Sequence, residues 1–261
     1  RVNHAAANMM GVSAEEITNM PAEEIYPLDA ELLYAKDQQV LQTGEAMTDV
    51  LYLTPAHRQP RWIQSHRVKV ITPNNEPGVV VFTLDITDQV KAQKEVELRF
   101  KLEELLVSIS ARLMDTTAEV IDSQMNQAIR EIGETIGVER CCIVQFSEDL
   151  QTFSVRSEWC AEGIAPLQQD FIDSPTDSIR WLADKILNQD LVVISSADEI
   201  PASETVYRPL FEKWMKSATI VPMHYRGRVF GFLVLAYTTK TELWTTRIDT
   251  ILKITAELFA T

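Results

Sequence analysis

The chain has 261 residues, of which 46% are apolar and 24% are charged. These proportions are typical of globular domains and exclude collagen-like, low-complexity and disulfide-scaffold classes. The 38 acidic residues outnumber the 24 basic ones and give a formal net charge of −14, which argues against a nucleic-acid partner. The sequence also lacks a secretory signal and any apolar run of about 18 residues, so we expect no direct membrane contact by this segment.

Three cysteines, two of them adjacent at Cys141 and Cys142, do not form a disulfide framework. Their number fits a protein of the reducing cytoplasm, which is the location that we predict. If the adjacent pair lies on a strand, we expect one buried and one half-exposed thiol. Because the chain begins with Arg1 rather than Met, we also expect it to be a piece of a longer polypeptide.

The first part of the chain has the turn chemistry of short helices followed by strands. Ser13, ahead of two glutamates, is a candidate N-cap. Asp29 is expected to cap a helix that runs to about Gln42 and ends at Gly44. Three strands are then predicted at residues 50–54, 61–71 and 79–85.

Side chains along the middle strand point alternately to the two faces of the sheet, and their polarity predicts that one face is buried. Trp62 and His66 share one face, which we expect to be the inner one. The residues expected on the outer face are Arg61, Arg67 and Lys69. Trp62 and His66 are therefore candidates for a ligand pocket, and ordinary core packing is the alternative.

Residues 87–113 contain no Gly or Pro and form a predicted long helix. Apolar residues recur along it at heptad spacing, at Leu98, Leu102, Leu105 and Ile109. This pattern predicts a stiff helix that pairs in parallel with a second copy of the chain. The alternative is a surface helix packed on its own domain.

The second part of the chain mixes helices and strands without a strict βαβ repeat. An amphipathic helix is predicted at residues 121–136, ended by Gly137. Strands are predicted at residues 141–147, 152–160, 191–194, 218–225 and 229–237, and helices at residues 178–188, 204–216 and 248–259. The last strand is apolar on both faces and should lie centrally in its sheet. The fold class predicted for the chain is α+β, with two domains, each a central antiparallel sheet flanked by helices, joined by a long helix.

Residues 3–88 resemble a PAS domain that lacks its first strand or two. The matching features are Asn3 and Met9 at their family spacing, Gly11-Val12-Ser13 with Glu15-Glu16-Ile17, Trp62 on the penultimate strand, and the strand ending Asp85-Ile86-Thr87. The resemblance implies that Asp85 and Thr87 hand the sheet over to a signalling helix. It also implies an arginine partner for Asp85, for which Arg61 and Arg67 are the candidates.

Residues from about 116 to 261 resemble a GAF domain. The likeness rests on Pro222, the closing hairpin at residues 226–233, Asp198-Glu199-Ile200-Pro201, and Trp244. The domains expected are therefore PAS-like at 1–88, a signalling coiled-coil helix at 89–115, and GAF-like at 116–261. This layout resembles the input half of bacterial sensor histidine kinases, as in two-component systems, and of diguanylate cyclases. It implies a non-catalytic sensor whose output domain lies elsewhere in the same polypeptide.

Catalytic and cofactor signatures are missing from the sequence. The chain has no Gly-rich phosphate loop, no nucleophile elbow and no histidine pair at zinc spacing, so no metal site is predicted. No cofactor is predicted either, since the attachment residues implied by flavin, haem, bilin and cyclic-nucleotide relatives are absent. Two alternatives stay open: a dedicated ligand or chromophore module, with a bilin held by Cys160, and a GAF-type methionine sulfoxide reductase using Cys160.

Aromatic residues supply the candidate binding site of the second domain. Trp159, Trp181 and Trp214 can line a pocket, with plain packing as the alternative, and Arg180 is the candidate contact for an anionic ligand.

The function predicted for the chain is a homodimeric sensor in which a ligand or partner shifts conformational populations, and the helix pair carries the shift onward. A purely structural dimerisation segment is the rival. The predicted relay residues are Asp85, Thr87, Leu98, Leu102, Leu105 and Ile109.

Overall fold

The structure is a computed structural model that describes residues 7, 11, 13–17, 20–56, 58–114, 120–188, 191–241 and 249–259. Its contacts divide the chain into two units, Arg1–Lys94 and Glu95–Thr261. The elements of the first unit are α1 (Ala14–Ile17), α2 (Ala22–Ile25), α3 (Ala30–Thr43), β1 (Met47–Leu53), β2 (Arg61–Ile71) and β3 (Pro77–Asp85). Helix α4 (Thr87–Met114) begins in the first unit and continues into the second.

Of the helix-end signals predicted in the first unit, those at Ser13 and Gly44 are confirmed. The Ser13 hydroxyl accepts a hydrogen bond from the Glu16 amide at 3.1 Å, and the Ser13 amide donates to the Glu16 carboxylate at 3.0 Å, which is a capping box before α1. Gly44 ends α3 in the left-handed conformation, with φ at 75°. Asp29 lies at the N-cap position of α3 as predicted, but its carboxylate makes no capping hydrogen bond and accepts from the Thr54 amide at 2.8 Å instead.

The first unit contains an antiparallel sheet in the order β1-β2-β3. Its inner face is the opposite of the predicted one: Ile63, Ser65 and Arg67 are buried, whereas His66 is exposed. The Arg67 guanidinium donates to Asp37 at 3.0 Å and to Asp49 at 2.9 Å. These two carboxylates neutralise the charge of the buried guanidinium. Arg67 can therefore lie on the inner face, although the sequence pattern predicted that it would face solvent.

The second unit is built around a larger antiparallel sheet. After the later residues of α4 it contains α5 (Ile121–Ile136), β4 (Arg140–Phe146), β5 (Thr152–Cys160), β6 (Ser174–Pro175), α6 (Arg180–Asn188), β7 (Val192–Ile194), α7 (Tyr207–Trp214), β8 (Ser217–Tyr225), β9 (Arg228–Tyr237) and α8 (Asp249–Leu258). The strand order is β6-β5-β4-β9-β8-β7. The α+β fold class is confirmed, and β9 lies centrally in the sheet as predicted.

Each face of this sheet carries its own apolar cluster. Cys142 belongs to the cluster shared with α6 and α7, and Cys141 belongs to the cluster shared with α4, α5 and α8. The two cysteines thus lie on opposite faces as predicted, but both are buried, so the expected half-exposed thiol is not found. Helices cover both faces of β4, which leaves neither side chain in solvent.

The apolar side of α4 packs within the second unit. Leu102 is 1% exposed and Ile109 0%, and both lie in the cluster with α5 and α8, with Leu98 and Leu105 partly buried against it. Leu102 and Ile109 are thus covered by their own unit and are not available to a second chain, which corrects the predicted seam at these two positions, whereas Leu98 and Leu105 keep part of their surface. The stripe of α4 that is left exposed consists of Val96, Phe100 and Val107.

Glu139, just before β4, fastens the chain that follows β9. Its carboxylate accepts hydrogen bonds from the Thr238 amide at 2.6 Å and the Thr239 amide at 2.8 Å, and from both threonine hydroxyls. Burial works to raise the pKa of Glu139, but these hydrogen bonds outweigh it and lower the pKa to about 2. The carboxylate is therefore charged in the folded protein at neutral pH.

Candidate functional site

A cavity of about 70 Å³ lies in the second unit, on the face of the sheet that α6 and α7 cover. Its wall is almost entirely apolar. The strand residues that line it include Cys142, Val144, Phe153, Val155, Ile220, Phe232 and Val234, and the helices and loops add Leu167, Phe171, Leu182, Phe211 and Trp214. An apolar enclosure with few polar groups is the usual form of a small-molecule site.

One charged side chain, Arg140 at the start of β4, reaches the cavity wall. It is 1% exposed, and its Nη1 donates to the Glu158 carboxylate while its Nη2 donates to the Ala165 carbonyl at 2.8 Å. The same carboxylate accepts from the amides of Leu167 at 2.9 Å and Gln168 at 2.8 Å. A buried ion pair is tolerated only when its remaining bonding capacity is met in this way. The pair fixes the loop at residues 165–168 against the sheet.

Two buried polar atoms of the cavity wall have no hydrogen-bond partner in the described part of the chain. They are Nε of Arg140 and the hydroxyl oxygen of Tyr207. The Tyr207 ring is held by Trp181 and Phe211, with ring centres 5.9 and 6.3 Å away. Burial raises the pKa of Tyr207, so the hydroxyl keeps its proton. Unpaired buried groups of this kind are uncommon, and each of the two has less than 1 Å² of accessible surface, so neither is open to the cavity.

The four residues predicted to line this pocket are distributed over three places. Trp214 lines the cavity, with its ring centre 5.6 Å from the guanidinium carbon of Arg140. Trp181 and Arg180 border a separate groove on the surface, where Arg180 is exposed and pairs with Asp177 at 3.6 Å. Trp159 lies on the opposite face of the sheet. The placement of Trp159, Trp181 and Arg180 in one pocket is therefore corrected.

Arg140 and Tyr207 are the site residues that the sequence analysis missed. A signal for Arg140 was present, because it is a lone charge that begins the apolar run Cys141-Cys142-Ile143-Val144. Tyr207 had no such signal, since a tyrosine at the start of a short helix is ordinary. Their importance depends on the atoms that surround them in the folded unit.

The thiols near the cavity are poorly suited to covalent chemistry. Burial raises the pKa of Cys142 and Cys141, and it raises the pKa of Cys160 to about 11, with the Glu158 carboxylate 3.5 Å from its Sγ. A nucleophilic or ligating cysteine needs the thiolate, which all three environments disfavour. The cavity, at about 70 Å³, is also far smaller than the roughly 300–1,000 Å³ typical of small-molecule and cofactor sites, and a bilin is much larger than this space.

In the first unit, the two predicted pocket residues lie on the outer face of the sheet. The Trp62 ring contacts Tyr52, with ring centres 5.0 Å apart, and the Lys94 ammonium, 5.0 Å from the ring centre. His66 Nδ1 lies 2.7 Å from the Thr48 hydroxyl. The expectation that Trp62 and His66 face an inner pocket is therefore wrong, because the helices pack on the other face of β2.

The end of the first sheet is joined to α4 by a compact polar network. The Asp85 carboxylate pairs with Arg61 and accepts from the Thr87 amide at 2.9 Å, while the Thr87 hydroxyl accepts from the Trp62 amide at 3.0 Å. Burial by itself raises the pKa of Asp85, but the hydrogen bonds from Thr87 and Arg61 outweigh it and lower the pKa below its ordinary value. Of the two candidate arginines, Arg61 is the partner, and Arg67 is engaged elsewhere.

The described residues contain no group of three or more His, Cys, Asp or Glu side chains arranged to hold a metal ion. Among them there is also no helix with the length and apolar character needed to cross a bilayer.

The comparisons with known proteins agree with this architecture. The family model for the PAS fold matches residues 1–91, and the model for the GAF domain matches residues 121–261. No curated protein sequence matches the chain.

Solved structures with a similar fold include bilin-binding proteins. The phycocyanobilin-bound GAF domain of a cyanobacterial phytochrome is 15% identical, with a TM-score of 0.52 over 61% of this chain and 91% of that one. The phycoerythrobilin-bound form has a TM-score of 0.51 at 15% identity, over 61% and 92%. A mutant chromophore-binding domain of the Stigmatella aurantiaca bacteriophytochrome, in its Pr state, is 14% identical, with a TM-score of 0.50 over 98% of this chain and 87% of that one.

At such identities the likeness shows the fold alone. The family matches show more: PAS and GAF domains are regulatory sensory domains, and one follows the other here. The chain belongs to the GAF family and carries a PAS fold ahead of its GAF domain.

Proposed function

We propose that this chain is a cytoplasmic, non-catalytic sensory input segment in which the cavity of the GAF domain receives a small molecule. The observation that carries this proposal is the apolar cavity between the sheet and helices α6 and α7, lined by strand residues such as Val144, Phe232 and Val234. A small apolar ligand that fills this space gains the hydrophobic and dispersion contacts that the empty cavity lacks.

The strands behind the cavity supply a physical route for the signal. On β9, Phe232 and Val234 face the cavity, whereas the alternating Leu233 and Leu235 face the cluster that contains α4. A ligand that displaces the strand therefore alters the packing under α4. We propose that this displacement shifts the population of α4 conformations, which is the output of the segment.

The test of sensing is a thermal-shift and tryptophan-fluorescence screen of the full chain against small compounds. Ligands that raise the Tm of the native chain should bind about tenfold more weakly to Val144→Leu, which places one more methylene in the cavity. Val193→Leu is the matched control, since Val193 is outside the cavity and partly exposed. If the ligand bound Val144→Leu and Val193→Leu with equal affinity, its site would lie outside the cavity.

The chromophore alternative is tested by absorbance. Protein expressed with haem, flavin or bilin supplied should show no visible band after purification, because the cavity is too small for these groups. A stoichiometric band would overturn the small-molecule proposal in favour of a chromophore module.

We further propose that the chain acts as a parallel homodimer, paired through the exposed stripe of α4 rather than through its buried side. Val96, Phe100 and Val107 stand at heptad positions d, a and a. In a parallel pair, Arg99 at position g, which also donates to Glu103 of its own helix at 2.9 Å, would face Glu104 at position e of the second copy, so the two charges are complementary. The dimer carries the change in α4 to an output domain of the same polypeptide, for which a histidine kinase or a diguanylate cyclase is proposed.

Charge reversal tests this pairing. Native protein at tens of micromolar should have the mass of a dimer in light scattering, and Arg99→Glu and Glu104→Arg should each weaken it. Combining the two reversals should restore the dimer. A native monomer, or a double variant no better than the single ones, would contradict the parallel pairing.

A further inference from the structure

The cavity wall includes a stretch of chain that connects β5 to β6. This β5–β6 segment, residues 162–170, has one buried side chain, that of Leu167, and Leu167 lines the cavity. On the proposed function, in which the cavity receives a small molecule, we propose that ligands enter when this segment moves outward. Leu167 closes the entrance, and the ion pair of Arg140 and Glu158 holds the segment in place.

The rest of the wall is packed more firmly than the β5–β6 segment. The covering helices α6 and α7 each bury several side chains, namely Leu182, Ala183 and Ile186 from α6 and Tyr207 and Phe211 from α7. In the segment, Ile164 and Gln168 are half-buried and every residue other than these and Leu167 is exposed. Local opening occurs most readily where few apolar side chains are buried. The segment is therefore the part of the wall that we expect to open first.

Polar contacts from the sheet hold the segment closed. The amides of Leu167 and Gln168 donate to the Glu158 carboxylate at 2.9 and 2.8 Å. The Arg140 guanidinium donates to the Ala165 carbonyl at 2.8 Å. Arg140 lies on β4 and Glu158 on the adjacent β5, so both charges stay with the sheet when the segment moves. Opening thus breaks hydrogen bonds of the segment but leaves the buried charges paired, which avoids the large cost of separating them.

Both ends of the segment are fixed to the rest of the domain. Before it, the Ala161 amide donates to the Glu139 carbonyl at 2.9 Å, and after it the Phe171 carbonyl accepts from the Val155 amide at 2.9 Å. The Phe171 ring also stacks on Phe153, with ring centres 5.9 Å apart. Phe171 therefore stays in the cavity wall, and the motion is confined to the β5–β6 segment.

Gly163 allows the opening to be shifted without altering the cavity. Its φ of 84° lies in the left-handed region, and in the described part of the chain no atom beyond its neighbours lies within 4 Å of where a Cβ would be. Gly163→Ala therefore strains the closed backbone and should raise the open population about fivefold to tenfold. Gly137→Ala is the matched control, because Gly137 has a φ of 80° and equally open surroundings at the end of α5.

Amide hydrogen exchange of the full chain measures the opening. We expect the Leu167 and Gln168 amides to exchange faster than those of β9, through local opening. Gly163→Ala should speed these two amides about fivefold to tenfold, and Gly137→Ala should leave them unchanged. Glu158→Gln, which replaces the charged acceptor by a neutral one, should also speed them. If that variant does not fold, the two glycine variants still decide the result.

Xenon, an apolar atom that enters dry protein cavities, measures entry. Its binding is followed by chemical-shift titration of Val144 and Phe232, and its entry and exit rates by xenon exchange spectroscopy. Gly163→Ala should raise both rates by the same factor as the amide exchange and leave the Kd unchanged, since the empty and the filled cavity are strained alike. Gly137→Ala should keep the native rates. If the segment only shaped the cavity, Gly163→Ala would change the Kd instead of the rates.

The outcomes distinguish this inference from the function on which it rests. If Gly163→Ala and Gly137→Ala speed the Leu167 amide equally, the segment opens only when the whole domain unfolds, and the inference is overturned. Xenon binding with native rates in Gly163→Ala would overturn it too, while the cavity would remain a receiver. Local opening without xenon binding also overturns the inference, and the proposed function fails with it if the compound screen yields no ligand sensitive to Val144→Leu.

Discussion

Replacing Ile109 by alanine tests whether α4 belongs to the core of the GAF domain. Ile109 has no exposed surface and packs in the apolar cluster with α5, β9 and α8. Removing a buried isoleucine side chain costs the lost transfer free energy and that of the cavity left behind, together about 2–5 kcal/mol. For a domain of this size, about 3 kcal/mol corresponds to a fall in Tm of roughly 6–12 °C.

Val107→Ala is the matched control on the same helix. Val107 is 72% exposed, so its truncation should change the free energy of unfolding by less than about 0.5 kcal/mol. The assay is thermal unfolding of both variants followed by tryptophan fluorescence, with the mass in solution measured in parallel. We expect Ile109→Ala to lose stability and keep its mass, and Val107→Ala to keep its stability and weaken self-association.

The reverse pattern would refute this reasoning. If Ile109→Ala kept the native Tm but became monomeric, the side chain would be serving a contact between two chains. The relay would then run through a free-standing helix pair, and the burial of α4 in its own domain would be wrong.

Three further predictions follow from the polar contacts and the packing. Because the folded pKa of Glu139 lies near 2, below its ordinary value of 4.5, its stabilisation is present above pH 4.5 and is lost as pH falls through 2. Glu139→Gln should therefore lower stability by about 1–2 kcal/mol at pH 7, and the difference from the native chain should shrink in thermal melts between pH 4.5 and pH 2. Arg67→Ala removes the buried cation between Asp37 and Asp49, while Lys36 stays 2.7 Å from Asp49 and Asp37 is partly exposed, so it should destabilise the PAS domain by about 1–3 kcal/mol, seen as faster amide exchange in its sheet; unchanged exchange would contradict the ion-pair account. In Gly133→Ala the new Cβ would lie 2.5 Å from the Trp159 ring, so urea unfolding should show a loss of about 1–3 kcal/mol, and a neutral result would mean that the ring moves freely.

Local signals in the sequence were reliable where a short segment determines the outcome. The bounds of β2, the N-cap at Ser13 and the helix end at Gly44 were predicted as the structure has them, because each depends on a few neighbouring residues. The Asp85-Ile86-Thr87 junction was predicted through its family resemblance, and its geometry agrees.

The sequence could not show which face of a strand is buried, or what covers the apolar side of a helix. Alternation showed that β2 has one buried face, but the inner face was misassigned because it carries Arg67, whose charge is balanced by Asp37 and Asp49 from other segments. The heptad pattern on α4 likewise marked an apolar stripe without showing whether a second chain or the domain itself covers it. An apolar stripe of one spacing serves both purposes.

The sequence by itself thus determined the order of helices and strands, the PAS and GAF resemblance and the lack of known catalytic motifs, since these depend on residues near one another in the chain. The tertiary structure decided which surfaces are covered and which side chains meet. Arg140 from β4 and Tyr207 from α7 both line the cavity, and Glu158 from β5 pairs with Arg140. Their proximity is a consequence of strand pairing and helix packing, and no local pattern records it.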